Sequence, residues 1–187
     1  MTWDFSDVYK SIDDELNKLV NKLIYAGELA VQTAVQNGRY QNITGNLRSS
    51  IGYVLARDGK IIKEGGFNKV AGFGANMQRV RFTTISGKDV NFIARGKSGD
   101  GSEGSKQGLM YARQIVSTRK KGYTLVVVAG MDYASYVNAR GFDVMDSAEI
   151  KVIELFNKYS RMPVTRKHLL PGCRKELSIS LNQPFHP

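Results

Sequence analysis

The sequence has little of the chemistry on which most enzymes and secreted proteins depend. Its 187 residues include one cysteine, Cys173, and two histidines, His168 and His186. A single cysteine cannot form an intrachain disulfide, so we expect a reducing compartment or assembly inside a cell. The two histidines and the lack of ligand-spaced clusters argue against a zinc site and a Ser-His-Asp triad. We therefore expect a protein that is not an enzyme and that binds no metal or other cofactor.

Long apolar runs are missing as well. The longest, residues 125–129, has the length of a strand, whereas a membrane-spanning helix needs about 18 apolar residues. The first residues, with Asp4 and Asp7, lack the basic and apolar regions of a signal peptide. The composition, 42% hydrophobic and 24% charged, is typical of a globular domain. The sequence thus predicts a globular domain without membrane contact.

Positive charge is plentiful but unevenly placed. Lysine and arginine number 27 against 17 aspartates and glutamates, which gives a net charge of +10. Residues 1–36 carry a net charge of −3, and residues 37–187 carry +13. An acidic first segment before a basic remainder suits nucleic acid, an acidic protein neighbour, or head-to-tail packing of copies of this chain.

Apolar spacing predicts an α+β fold. Residues 6–36 have the three- and four-residue spacing of a long amphipathic helix, with Ser6 or Asp4 as its cap and a left-handed Gly38 as its end. We predict strands at residues 51–56, 60–64, 79–85, 90–94 and 123–129, with an Asp-Gly hairpin turn after the first and the valine-rich last strand at the centre. We predict a short turn of helix capped by Thr44, and helices at residues 109–118, at 132–140, and after a cap at Asp143 or Asp146.

These elements define one domain with two additions. Residues 1–160 are expected to pack the long N-terminal helix and the C-terminal helices on a mostly antiparallel sheet. Residues 65–115 are predicted to be an insertion that contains a flexible, glycine-rich loop at 96–108. Residues 161–187 are predicted to be an arm that orders against a partner, with apolar anchors at Leu169, Leu170, Ile179, Leu181 and Phe185.

Residues 99–104 match the dinucleotide-binding pattern G-x-G-x-x-G. The pattern binds a pyrophosphate when a strand leads directly into it and a helix follows at once. Here a polar stretch separates the loop from the strand, and Asp100 and Glu103 would repel phosphate. We favour a mobile loop, and a nucleotide-dependent enzyme stays as an alternative.

Two motifs stand about eighty residues apart. The first is Tyr40-x-x-x-Thr44-Gly45-Asn46-Leu47-Arg48-Ser49-Ser50-Ile51, which follows the long helix. The second is Val127-Val128-Ala129-Gly130-Met131-Asp132-Tyr133-Ala134-Ser135-Tyr136-Val137. At helical spacing, Leu47 and Ile51 should enter the core with Arg48 pointing outward. Tyr133, Tyr136 and Val137 should form one helix face that packs on the central strand.

In this order, the two motifs resemble the "T-G-x-L-R-x-S-I" and "Y-A-x-Y-V-E-x-G" elements of the tail-completion proteins of lambdoid HK-type bacteriophages. These are neck, or head–tail joining, proteins. The resemblance covers residues 5–160, although Asn138 stands in place of the usual glutamate and the "H-P-F" element is missing.

The resemblance implies a structural virion protein that assembles in the bacterial host cytoplasm. Six or twelve copies would form a ring at the head–tail junction, between portal or adaptor and tail, around the DNA channel. A nucleic-acid-binding protein without a virion role is the alternative. The candidate contact residues are, for DNA or acidic partners, Arg79, Arg81, Lys97, Lys106, Arg119, Lys120, Lys121, Arg166 and Lys167 and, for apolar contact with a neighbour, Leu169, Leu170 and Phe185.

Overall fold

The structure is a computed structural model that describes residues 5–74, 78–84, 86–94, 98–159 and 175–181. In chain order its helices and strands are α1 (Ser6–Asn37), α2 (Asn46–Ser49), β1 (Ile51–Arg57), β2 (Lys60–Gly66), β3 (Gln78–Thr83), β4 (Asp89–Ala94), α3 (Ser102–Ser117), β5 (Tyr123–Ala129), α4 (Ala134–Val137), α5 (Asp146–Tyr159) and β6 (Lys175–Leu181). A π-helical turn, Asn138–Phe142, follows α4. The predicted α+β class is confirmed. No helix in the described ranges is both long and apolar enough to cross a membrane.

The long N-terminal helix is confirmed, but both of its ends differ from the prediction. Phe5 takes the N-cap position, without a side-chain cap hydrogen bond, and Asp4 lies outside the described residues. Gly38 ends α1 in an extended conformation, with φ of −60° and ψ of 108°, and its N–H donates to the carbonyl of Ala34. The glycine is needed there for space, because an added Cβ would lie 2.7 Å from ring carbon Cε1 of Tyr40.

The main sheet has four antiparallel strands in the order β2-β1-β5-β6. The predicted hairpin joins β1 to β2 through Asp58 and Gly59, which both have the positive φ that a two-residue hairpin turn requires. Strand β5 lies between β1 and β6, and all seven of its residues are buried. Its central position is therefore confirmed, and burial on both faces accounts for its continuous apolar sequence.

Helices cover both faces of this sheet. Tyr53, Leu55, Leu125 and Val127 face α1 and α5 in the larger core cluster. The alternate residues of β1 and β5 instead pack against α3, together with Ala112 and Val116 of that helix. The two-residue period of β1 and β5 thus divides their side chains between two cores.

Strand β6 corrects the interpretation of residues 161–187 as an arm for residues 175–181, and the rest of that segment lies outside the described residues. Residues 175–181 pair with β5, and Leu177 and Ile179 lie in the same core cluster as α1. Ile179 is fully buried in its own chain, so it is not an anchor for a neighbour. In the sequence Leu177 and Ile179 alternate with the polar residues Glu176 and Ser178, and in the structure Ser178 is buried as well.

Helix α3 corrects the predicted flexible loop at 96–108. It begins at Ser102, seven residues before the predicted helix, and its Gly104 and Gly108 are buried. An added Cβ at Gly104 would overlap the carbonyl oxygen of Asn46, and one at Gly108 would overlap that of Ser50. Glycine weakens an isolated helix by about 1 kcal/mol per residue, which made this segment look like a loop. In the fold, the same two glycines allow α3 to approach the chain around α2 closely.

Within the described residues, the second sheet consists of β3 and β4. They pair antiparallel with Phe82 opposite Val90, close to the strands predicted at 79–85 and 90–94. The main sheet does not include them. The inserted segment therefore has two parts, an external hairpin and a helix, α3, that belongs to the core.

Candidate functional site

The two resembling motifs meet in the fold. Ser50, in the first, accepts a hydrogen bond at 3.2 Å from the backbone N–H of Gly130, in the second. The next residue, Ile51, pairs with Ala129 across β1 and β5. Burial raises the pKa of Tyr133, and a side-chain hydrogen bond with Thr44 opposes that rise. The motifs thus form one structural junction at the end of the central strands.

The first motif makes a tight turn. Gly45 is left-handed, with φ of 80°, and an added Cβ would overlap the carbonyl oxygen of Val70. Gly45 takes the N-cap position of α2, while Thr44, predicted as the cap, accepts a hydrogen bond at 3.4 Å from the N–H of Asn46. Leu47 and Ile51 enter the core as predicted.

Arg48 does not point outward as predicted. Its Nη2 donates to the carbonyl of Gly38 at 2.9 Å, and its Cζ lies 5.4 Å from the centroid of the Tyr40 ring. Burial raises the pKa of Tyr40 to about 12, although the nearby positive charge of Arg48 favours ionisation. Arg48 therefore holds the end of α1 against the turn that follows.

The second motif also departs from the prediction. Val137 packs against the core, but Tyr133 and Tyr136 are 42% and 55% exposed. Arg140 lies over the Tyr136 ring, with its Cζ 4.8 Å from the centroid. The expected buried face is therefore wrong for the two tyrosines.

Asn138, which replaces the usual glutamate of the resembling family, organises the start of α5. Its Oδ1 accepts hydrogen bonds from the N–H groups of Val144 and Met145, and its Nδ2 donates to Asp146 at 2.7 Å. A glutamate has no donor for this last contact. Asp143 accepts from the N–H of Ser147, which confirms it as a cap of the helix.

Other residues of the same chain fill the space around the G-x-G-x-x-G segment, residues 99–104. Asp100 accepts a hydrogen bond from the N–H of Ser102 at the start of α3, and this bond lowers the pKa of the carboxyl group. An added Cβ at Gly101 would overlap the hydroxyl oxygen of Ser49, and Gly104 faces Asn46. Packing accounts for these glycines, and the carboxylate stands where a phosphate would have to bind.

Three of the predicted basic residues gather at one end of the main sheet. Arg119, Lys120 and Lys121 lie between α3 and β5, beside the hairpin turn from β1 to β2. Asp58 ties the two segments together: its N–H donates to Gly122, and its Oδ1 accepts from the N–H of Gly122 at 2.8 Å. We call the cluster the basic end. It consists of Arg57, Lys60, Arg119, Lys120 and Lys121.

The sequence does not indicate that Arg57 and Lys60 belong to the basic end. Their place there depends on the contact between the β1–β2 turn and the loop before β5. Arg57 pairs with Lys60 in one direction and with Tyr123 in the other, and its Cζ lies 5.3 Å from the Tyr123 ring centroid. Lys60, Lys120 and Lys121 are exposed, whereas Arg119 is half-buried. The hairpin turn itself was predictable, but the loop that it contacts was not.

The other predicted contact residues do not join the basic end. Lys106 is exposed near the start of α3, about 16 Å along the helix axis from Ser117. Arg81 is exposed on β3, and for Arg79 the structure describes only the backbone. The remaining six lie outside the described residues: Lys97, Arg166, Lys167, Leu169, Leu170 and Phe185.

Within the described ranges, no group of three histidine, cysteine, aspartate or glutamate residues could hold a metal ion. His168, His186 and Cys173 lie outside those ranges. Comparisons of the chain with family models, with curated proteins and with solved structures found no match.

Proposed function

We propose that this chain is a structural virion protein of a tailed bacteriophage and not an enzyme. Copies form a ring at the head–tail junction, between portal or adaptor and tail, around the DNA channel. The resemblance of the two motifs is the source of this proposal, and six or twelve copies is the number that it implies.

One observation carries the proposal: the two motifs contact each other. Short motifs match by chance more easily when they serve unrelated parts of a fold. Here the hydrogen bond from Gly130 to Ser50 and the pairing of Ile51 with Ala129 place them in one junction. Their joint occurrence therefore reflects one architectural unit, which supports the resemblance more strongly than either motif alone.

The distribution of charge suits a ring. A head-to-tail contact joins two different surfaces of the same chain, and it closes into a ring when the rotation between copies allows. The acidic N-terminal segment and the basic remainder provide surfaces of opposite charge on every copy. Such complementarity accelerates association and fixes its orientation.

The basic end is the surface that we propose for DNA in the channel. Arg119, Lys120 and Lys121 belong to the loop between α3 and β5, and Arg57 and Lys60 are the strand residues on either side of the hairpin turn, at the margin of the sheet where a phosphate backbone can approach. Lysine and arginine contacts to phosphate need no particular base sequence, which fits a channel through which a whole genome passes.

The same cluster favours the second candidate, a nucleic-acid-binding protein without a virion role. The two candidates differ in self-association and in partners. The second predicts a monomer or dimer that binds DNA with a steep dependence on salt. The first predicts a closed ring that joins other neck components.

Mass measurement tests the proposal directly. The purified chain, of 20.8 kDa, should give a discrete species of about 125 or 250 kDa for six or twelve copies, alone or after mixing with portal, adaptor or tail proteins. A map of the mature particle should then show it at the vertex to which the tail attaches. A persistent monomer that joins none of these proteins, or turnover of a substrate by the isolated chain, would overturn the proposal.

A further inference from the structure

The hairpin of β3 and β4 exposes an apolar face. Phe82 and Val90 are directly opposite each other, and Phe92 follows Val90 by two residues, so the three side chains share one face. Phe82 is 50% exposed and Phe92 is 48% exposed. An isolated two-stranded hairpin is only marginally stable in water, so this one gains stability when its apolar face is covered.

A second uncovered apolar surface lies at the start of α1. Phe5, Val8, Tyr9 and Ile12 follow each other at three- and four-residue spacing and therefore share one face of the helix. They are between 48% and 66% exposed. The core covers this face of α1 only further along the chain, from about Leu16 onward.

The two surfaces carry opposite charges. Residues 5–15 contain four acidic residues and one basic residue, for a net charge of −3. Residues 78–94 contain Arg79, Arg81 and Lys88 against Asp89, for a net charge of +2. Arg81 and Lys88 are exposed, as are Asp13 and Glu15 on either side of Ile12 on the helix surface.

We propose that the apolar face of the β3–β4 hairpin docks on the first turns of α1 of a second copy of this chain. The proposal rests on the ring inferred above, because two different surfaces that fit each other make a head-to-tail contact. Their apolar residues provide the buried centre of the contact. Lys88, in the turn between β3 and β4, can face the acidic residues of α1, whereas Arg81 alternates with Phe82 and lies on the other face of the hairpin, so that it contributes only to the opposite net charges that favour this orientation.

Two variants of the full chain remove one surface each. Phe82→Ser with Phe92→Ser alters the hairpin, and Ile12→Ser alters the helix without touching the core. Each should raise the apparent dissociation constant of self-association at least about tenfold in sedimentation velocity, since buried aromatic and aliphatic anchors dominate such contacts. Met110→Ser, at a position on α3 that is 70% exposed, is the matched control and should associate as the unaltered chain does.

Mixing the two variants gives the sharper test. The hairpin variant keeps an intact α1 surface and the helix variant keeps an intact hairpin, so a mixture can form a single head-to-tail contact. We expect a one-to-one heterodimer that grows no further, while each variant alone stays monomeric. This result requires no assumption about the stability of the altered hairpin, because the intact hairpin belongs to the helix variant.

Three results would overturn the inference. The first is an unaltered chain that stays monomeric at every concentration. The second is a helix variant that alone associates as fully as the unaltered chain, and the third is a mixture without heterodimer. If the hairpins of two copies contact each other instead, the helix variant alone associates fully. If the chain itself covers its hairpin, the unaltered chain stays monomeric. A chain that assembles as expected but joins no portal, adaptor or tail protein leaves this contact intact and refutes only the neck assignment.

Discussion

At the scale of single residues, glycines decide how closely the layers approach. Gly45, Gly104 and Gly108 each stand where an added Cβ would overlap a carbonyl oxygen of another segment. Glycine is abundant between residues 65 and 108, and this abundance predicts a flexible loop at 96–108. That expectation fails from Ser102 onward because the carbonyl groups that meet Gly104 and Gly108 belong to a segment more than fifty residues earlier.

Gly104→Ala should destabilise the protein although alanine is the better helix former. Intrinsic propensity favours the substitution by about 1 kcal/mol, but the methyl group must displace the backbone of Asn46. We expect a net loss of about 2 kcal/mol in the free energy of unfolding, measured by chemical denaturation.

Gly141→Ala is the control for that experiment. An added Cβ there has no described atom within 4 Å, so only its φ of +83° opposes the change, at about 1 kcal/mol. A Gly104→Ala protein more stable than the unaltered chain would show that α3 does not approach α2 closely.

The buried phenol of Tyr53 predicts that the protein loses stability at alkaline pH. Burial raises the pKa of Tyr40 and of Tyr53 from 10.0 to about 12. Because the folded state favours the neutral phenols, their contribution is fully present below pH 10 and is lost as the pH rises toward 12. The free energy of unfolding should fall over this window, and Tyr53→Phe should make that fall shallower.

The difference between the two proteins isolates Tyr53, since lysines also lose their charge in this range. Tyr53→Phe removes the hydrogen bond of the phenol to Glu28, at 3.4 Å, and so lowers stability slightly at neutral pH. Parallel pH profiles for the two proteins would mean that the Tyr53 hydroxyl ionises as freely in the folded state as in the unfolded state.

At the scale of elements, the local sequence pattern was sufficient to predict a helix or strand that has a long buried face. Helix α1 shows its period over nine turns, and β5 is buried on both faces, so both were predictable. Among the β6 side chains that the structure describes, the buried apolar ones are Leu177 and Ile179, and they stand within a basic segment that contains prolines. The place of β6 in the sheet depends on the free edge of β5, which no local pattern reveals.

Ile179→Ser tests whether β6 belongs to the domain. Ile179 is fully buried, so the substitution removes apolar contacts and leaves a hydroxyl in the core, which should cost about 3 kcal/mol or more of unfolding free energy. Ile62→Ser, on strand β2 and at a position that is 43% exposed, is the control and should cost under about 1 kcal/mol. Equal effects of the two substitutions in thermal and chemical denaturation would contradict the position of β6 in the sheet.

At the scale of the whole molecule, the candidate surfaces lie apart from the packed core. The basic end consists of a loop and of the strand residues beside a hairpin turn, and the proposed self-association surfaces are a hairpin and the first turns of a helix. The sequence indicated the charge asymmetry and the residues at 119–121, but not their neighbours Arg57 and Lys60. It indicated the period of α1, but not that the core covers its apolar face only from about Leu16 onward, since that depends on the packing of elements distant in the sequence.

Because the basic end and the proposed self-association surfaces share no residue, DNA binding and assembly should be separable. Lys120→Glu with Lys121→Glu should weaken DNA binding and reduce the slope of log affinity against log salt by about 2, because each lost phosphate contact contributes about 0.9. The same protein should keep the sedimentation profile of the unaltered chain. Phe82→Ser with Phe92→Ser should instead lose self-association and keep the salt dependence of DNA binding. Lys22→Glu with Lys151→Glu, at exposed positions on α1 and α5, changes the net charge equally and should leave the slope unchanged. If both lysine pairs reduce the slope alike, DNA responds to the overall charge of the protein and the basic end is not its contact surface.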